Sequence, residues 1–143
     1  MKKHIILIDD DRDELVIFMD ALRKVPSEDG FKCTFANSST QAIEMLKYLV
    51  PDYVFADFNM PGMNGLELLH YIKSLESFRA TQLFLYSTFV SQETKDKAAG
   101  IGITWIQKAN TIDALVKDLS RLFLMRQPAN YFISNISLCA DPG

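Results

Sequence analysis

Several things are scarce in this sequence, and each shortage excludes something. There are two cysteines, Cys33 and Cys139, and they stand at no metal-ligand spacing. Lysine and arginine number 15 against 18 aspartates and glutamates, a net charge of −3. No basic stripe steers the chain toward nucleic acid. Long hydrophobic runs are missing too. The apolar run after Met1-Lys2-Lys3 is too short for a signal-peptide core, and no stretch approaches the length that crosses a bilayer. A reducing cytoplasm is therefore the expected compartment, and Cys33, in an alternating apolar run, reads as a small buried hydrophobe. No internal repeat or low-complexity segment is present.

What is there suits one compact domain: 143 residues, 48% hydrophobic and 23% charged. Short apolar runs alternate with amphipathic segments. His4–Ile8 predicts a buried strand stopped by three aspartates. Arg12 to Val25 carries Leu15, Val16, Phe18, Met19 and Leu22 at helical spacing, and Pro26 ends it. Phe31–Ala36 alternates, which predicts an edge strand. A helix is expected from Ser39, with Ala42, Ile43, Leu46 and Leu49 on one face and Pro51 closing it. Tyr53–Ala56 reads as a strand ending at Asp57, and 65–75 as a helix. Gln82–Tyr86 reads as a strand ending at Ser87, and Ser91–Ala99 as a helix with almost no apolar stripe. Ile103–Gln107 reads as a strand ending at Lys108, and a last helix starts near Thr111.

Strands alternating with helices predict right-handed crossovers and a parallel sheet covered on both faces, an α/β fold. Ligands of such sheets bind outside the carboxyl ends of the strands. Along that edge the sequence sets Asp9 and Asp10 after the first strand, Asp57 after the third, Ser87 after the fourth and Lys108 after the fifth. Taken singly, Ser87 would be a turn serine and Lys108 a surface lysine, while Asp11 and Asp13 read as helix-capping acids. Together the rim residues form a chemically complete set. Clustered carboxylates suit magnesium, a carboxylate can attack phosphorus, and a lysine and a hydroxyl can neutralise and bond phosphoryl oxygens.

These residues resemble the receiver domains of bacterial response regulators. The resemblance rests on Ile8-Asp9-Asp10, on the long stretch from Ala56 to Gly65, on Leu85-Tyr86-Ser87-Thr88 and on Ile106-Gln107-Lys108, and it covers residues 3–126. It implies a doubly wound five-stranded parallel sheet of flavodoxin-like order 2-1-3-4-5, with Asp57 as phosphoacceptor. It implies Mg2+, or Mn2+ in its place, held by Asp10 and Asp57, by Asp9 mostly through water, and by the backbone carbonyl of Asn59. Lys108 would pair with the phosphoryl group, Ser87 would reorient toward it, and Trp105 would be the aromatic switch residue. The expected partners are a histidine kinase or phosphotransfer protein and a downstream protein target, reached through the face of the fourth helix, fifth strand and fifth helix. DNA and membrane are not among them. Self-association is expected through that face or through the tail.

Two positions depart from the family pattern: Ala109 replaces the proline after the lysine, and Ile101 replaces a glycine four residues before Trp105. A cis bond before a non-proline residue costs about 3–4 kcal/mol, so the Lys108–Ala109 bond is either trans or strained. Phe89, two residues past Ser87, either covers the site or packs on the surface. Residues 127–143 are expected to be an apolar tail with Pro128, Tyr131, Phe132, Ile133, Ile136 and Leu138, and no output domain follows it. The leading expectation is thus a signalling switch and not an enzyme. A phosphatase of the haloacid-dehalogenase type, whose nucleophile follows the first strand as Asp-x-Asp, fits less well, as does a scaffold that never takes phosphate.

Overall fold

The computed structural model of the chain describes residues 2–124. Its elements run β1 (Lys3–Ile8), α1 (Asp13–Lys24), β2 (Phe31–Ala36), α2 (Ser39–Met45), β3 (Tyr53–Ala56), α3 (Gly65–Lys73), β4 (Gln82–Ser87), α4 (Gln92–Gly100), β5 (Thr104–Gln107) and α5 (Ile112–Leu124). A single 3-10 turn, Glu76–Phe78, precedes β4. All four strand pairings are parallel, and the sheet order is β2-β1-β3-β4-β5. The expected flavodoxin-like arrangement is the one observed, with β2 at an edge.

Strand side chains alternate between two cores, which explains why the middles of the inner strands are apolar on both faces. Ile6, Ile8, Val54, Ala56 and Leu85 face α2, α3 and α4 and meet Leu68, Leu69, Ile72 and Ala98. Ile5, Leu7, Phe55, Phe84 and Tyr86 face α1 and α5 and meet Phe18, Leu22, Leu115 and Leu119. The second core is aromatic at its centre. Phe55 stacks on Phe84 at 4.9 Å and meets Phe18 edge-on at 5.2 Å, contacts that add to simple area burial. No described helix is long and apolar enough to cross a membrane.

Two local readings change. α2 ends at Met45, four residues before Leu49, because the chain tightens there into turns that bond Lys47 N to Glu44 O and Tyr48 N to Met45 O. Leu46 and Leu49 still reach the core from that turn, so hydrophobic spacing outlasts the helix. After α4, Ile101 keeps negative φ as the C-cap and Gly102 takes φ +76°, so the glycine needed for the left-handed turn stands one residue later than Ile101. No peptide bond among the described residues is cis, and Lys108–Ala109 is trans. The tail, including Cys139, lies outside the described residues.

α4 buries only Thr94 and Ala98, fewer residues than α3 or α5. Its Ser91 cap accepts from Thr94 N–H at 3.1 Å, but little apolar area holds it down. Amide hydrogen exchange is expected to be faster in α4 than in the other helices of comparable length; slow exchange across 94–99 would contradict this.

Cys33 packs half-buried against the aromatic core, and burial pushes its thiol up to about 12. Near pH 9, where an ordinary thiol is half ionised, the folded protein should hold very little thiolate here. Because the folded pKa is the higher one, Cys33 contributes a stability that is complete below about pH 8 and is lost as pH rises toward 12. Iodoacetamide labelling followed by peptide mapping is therefore expected to modify Cys33 slowly in the native protein and quickly in urea; equal rates would contradict the burial.

Candidate functional site

The site is hung from the last bonds of the parallel ladder. Beyond the strand ends the pattern continues for one more residue: Asp9 N donates to Ala36 O at 3.0 Å, Asp57 N to Ile8 O at 2.9 Å and Lys108 N to Ser87 O at 3.0 Å. Each residue following a strand is thereby fixed by a neighbouring strand, and their side chains converge at the carboxyl edge. Carboxylate oxygens of Asp9, Asp10 and Asp57 lie within 4.8 Å of one another. Asp9 and Asp57 are buried and Asp10 is exposed.

Ser87, 1% exposed, donates from Oγ to Asp57 Oδ1 at 2.9 Å. Lys108 Nζ lies 2.7 Å from Asp9 Oδ2 and 3.7 Å from Asp57 Oδ1. The lysine's short bond is thus to Asp9 and not to Asp57. Asp9 has both oxygens engaged, since its Oδ1 also accepts from Asp11 N at 2.9 Å. Burial pushes Asp9 up to about 6, against the lowering pull of the Lys108 and Asp11 hydrogen bonds. Burial pulls Lys108 down, but Asp9 first, then Asp57 and Glu14, outweigh it and hold the ammonium above its ordinary range. The pair is a charge-assisted hydrogen bond between a buried carboxylate and a lysine whose side chain is 12% exposed.

An all-oxygen set of this kind fits a small hard divalent cation. The burial-raised Asp9 carboxyl agrees, because a cation among the acids would offset the cost of ionising them together. Asn59 is exposed in the loop after Asp57, a loop pinned by close backbone approach. Gly65 N donates to Phe58 O at 3.1 Å, and a Cβ on Gly65 would stand 2.0 Å from the Asp57 carbonyl oxygen. An Asn64–Glu67 capping box starts α3 directly behind that contact, and Ser39 Oγ donates to Met63 O at 2.9 Å.

Trp105 is half-buried on β5, with Lys95 Nζ of α4 4.4 Å from its ring centroid. Its Nε1 is buried with no acceptor among the described residues. Phe89 is 72% exposed. Two residues of the site carry no signal in the sequence. One is Glu14, whose Oε1 stands 3.7 Å from Lys108 Nζ. An acid in the first turn of a helix is already accounted for by the helix dipole, and nothing in the spacing marks this one out. The other is Tyr86, which lies under Lys108, with Nζ 5.6 Å from the ring centroid.

The sequence profile of the response regulator receiver domain matches residues 5–120. The chain belongs to the response regulator receiver family. Chemotaxis protein CheY-3 of Vibrio cholerae is 31% identical over 121 residues, covering 83% of this chain and 90% of that protein. Sporulation initiation phosphotransferase F of Bacillus subtilis is 27% identical over 126 residues, covering 87% and 95%. In fold, the Mn2+-bound form of response regulator Rcp1 superposes with a TM-score of 0.71 at 16% identity, covering 84% of this chain and 91% of that one.

The Gly65 contact generates a stability prediction. Gly65→Ala forces backbone movement directly behind Asp57, and a loss of about 3 kcal/mol is expected, the size of severe overpacking. Thermal unfolding of the variant would show it as a large drop in Tm, and an unchanged Tm would contradict the close approach.

Proposed function

We propose that the chain is a phosphoacceptor switch in which Asp57 takes a phosphoryl group from the phosphohistidine of a histidine kinase or phosphotransfer protein. The observation that carries this reading is the joint placement of Ser87 Oγ at 2.9 Å and Lys108 Nζ at 3.7 Å from one oxygen of Asp57, inside the acidic cluster. The second Asp57 oxygen is the nucleophile: its bond to phosphorus forms as the donor's phosphorus–nitrogen bond breaks, and the leaving imidazole keeps the electron pair and takes a proton. Lys108 neutralises charge on the transferred group, and Ser87 exchanges its bond to the carboxylate for one to a phosphoryl oxygen.

Mg2+, or Mn2+ in its place, would be held by Asp10 and Asp57 directly, by Asp9 mostly through water and by the Asn59 carbonyl. Bound there, it supplies positive charge to the phosphoryl oxygens. The both-sides engagement of Asp9 supports its indirect role, and the Mn2+-bound Rcp1 fold neighbour supports the choice of cation.

The working unit is the receiver domain, residues 1–126. The protein acts in the cytoplasm through protein contacts, without DNA or membrane. It assists only its own phosphorylation and dephosphorylation. The readout face comprises α4, β5 and α5, with Ser87 and Trp105 as the shifting residues. A downstream protein target or a second copy of the chain reads it, the latter there or through the tail. The sparse anchoring of α4 supports this, because a weakly held helix is displaced at small cost.

Incubation with acetyl phosphate and Mg2+, followed by intact mass measurement, is expected to add one phosphoryl group. Asp57→Asn and a chelator should each abolish it, and Mn2+ should restore it after chelation. Wild-type protein that stays unmodified would overturn the reading.

A further inference from the structure

Lys108 has three carboxylates around its ammonium, and they are not equivalent. Asp9 holds it by a 2.7 Å hydrogen bond, while Glu14 and Asp57 both stand at 3.7 Å. Asp9 and Asp57 belong to the acidic cluster at the strand ends, whereas Glu14 does not. It comes from the first turn of α1, in a helix whose register is set by burial of Phe18, Ala21 and Leu22 against the sheet. Its side chain is 22% exposed, so its charge is only partly screened by water.

We propose that Glu14 is a positioning residue that restrains Lys108 on the α1 side of the site and thereby slows phosphorylation of Asp57. The inference rests on the phosphoacceptor reading and deepens it. Lys108 stabilises an incoming phosphoryl group only by moving toward Asp57, away from its present bond to Asp9. Glu14 and Asp57 lie at equal distance from the ammonium, so each draws it with comparable strength, and Glu14 draws it toward the helix. Asp9 cannot be the adjustable part of this balance, because it is buried and both its oxygens are committed. Glu14 makes no hydrogen bond to Lys108 at its distance, so its hold is a matter of charge and can be altered without breaking a bonded network. Lys108 itself is the residue that meets the phosphoryl group; Glu14 acts through it.

Glu14→Gln keeps the side-chain size and removes the charge. A partly exposed position on a first helical turn tolerates this, and Tm verifies the fold. With acetyl phosphate and Mg2+, and intact mass followed in time, the variant is expected to be phosphorylated about three- to tenfold faster, the scale of one weakly screened competing charge. The acceleration should persist at high KCl, because the contact is short and partly buried. It should vanish when Glu14→Gln is combined with Lys108→Gln, a result that a general effect on folding would not give. Asp13→Asn, which removes an exposed neighbouring charge from the same turn, is the control and should leave the rate within about twofold at high salt. An unchanged or slower Glu14→Gln overturns the proposal, as does equal acceleration by Asp13→Asn or acceleration that survives loss of Lys108. Wild-type protein that takes no phosphoryl group overturns the parent reading, and this inference with it; a normally phosphorylated wild type beside an unaltered Glu14→Gln overturns this inference alone.

Discussion

The register of the parallel ladder is the constraint on which everything else depends. Three bonds beyond the strand ends, from Asp9, Asp57 and Lys108 to Ala36, Ile8 and Ser87, hold residues far apart in sequence at one level of the sheet. Since side chains alternate along a strand, a slip of one residue in any pairing would send each side chain into the opposite core and scatter the acids. Burial prevents the slip. Ile5, Ile6, Leu7 and Ile8 are all fully buried, so β1 has no tolerable alternative register. Hydrophobic packing on both faces of the sheet thus fixes the positions of polar groups that contribute little to folding themselves.

Those polar groups in turn impose an electrostatic cost that the fold meets locally. A carboxylate buried like Asp9 is unfavourable when ionised, and its raised pKa expresses this. Lys108, 99 residues away in sequence, is the compensating charge, and its Nζ lies 5.6 Å from the centroid of the Tyr86 ring. The arrangement keeps a cation beside the acids, with Ser87 Oγ donating to Asp57 at 2.9 Å and the ammonium standing off at 3.7 Å. One ammonium thus faces both buried acids, bonded to Asp9 and 3.7 Å from Asp57.

Much of this is legible in the sequence because the middles of the inner strands are apolar on both faces. A polar residue ending such a run has to lie at the sheet edge, so strand pattern alone brings Asp9, Asp57, Ser87 and Lys108 together. The sheet order itself needs the longer stretch from Ala56 to Gly65, since alternation of strands and helices does not select one order. Other features leave no such trace. The end of α2 is hidden because Leu46 and Leu49 keep helical spacing through a turn that is not helical. The choice of Asp9 over Asp57 by Lys108 depends on rotamers and burial, and the approach of Glu14 to Lys108 depends on how α1 packs on the sheet. Lys95 over Trp105 joins residues from two elements, and no local pattern announces it.

Trp105 is the chain's single tryptophan, and its surroundings give it a use beyond packing. Its indole is stacked under an ammonium from the sparsely anchored α4, while its N–H lacks an acceptor among the described residues. A fluorophore so placed reports on the joint between α4 and β5. Separation of α4 from β5 would remove the cation, admit water to the N–H and shift the emission to longer wavelength. The protein therefore carries an optical gauge of its own edge, readable without a label.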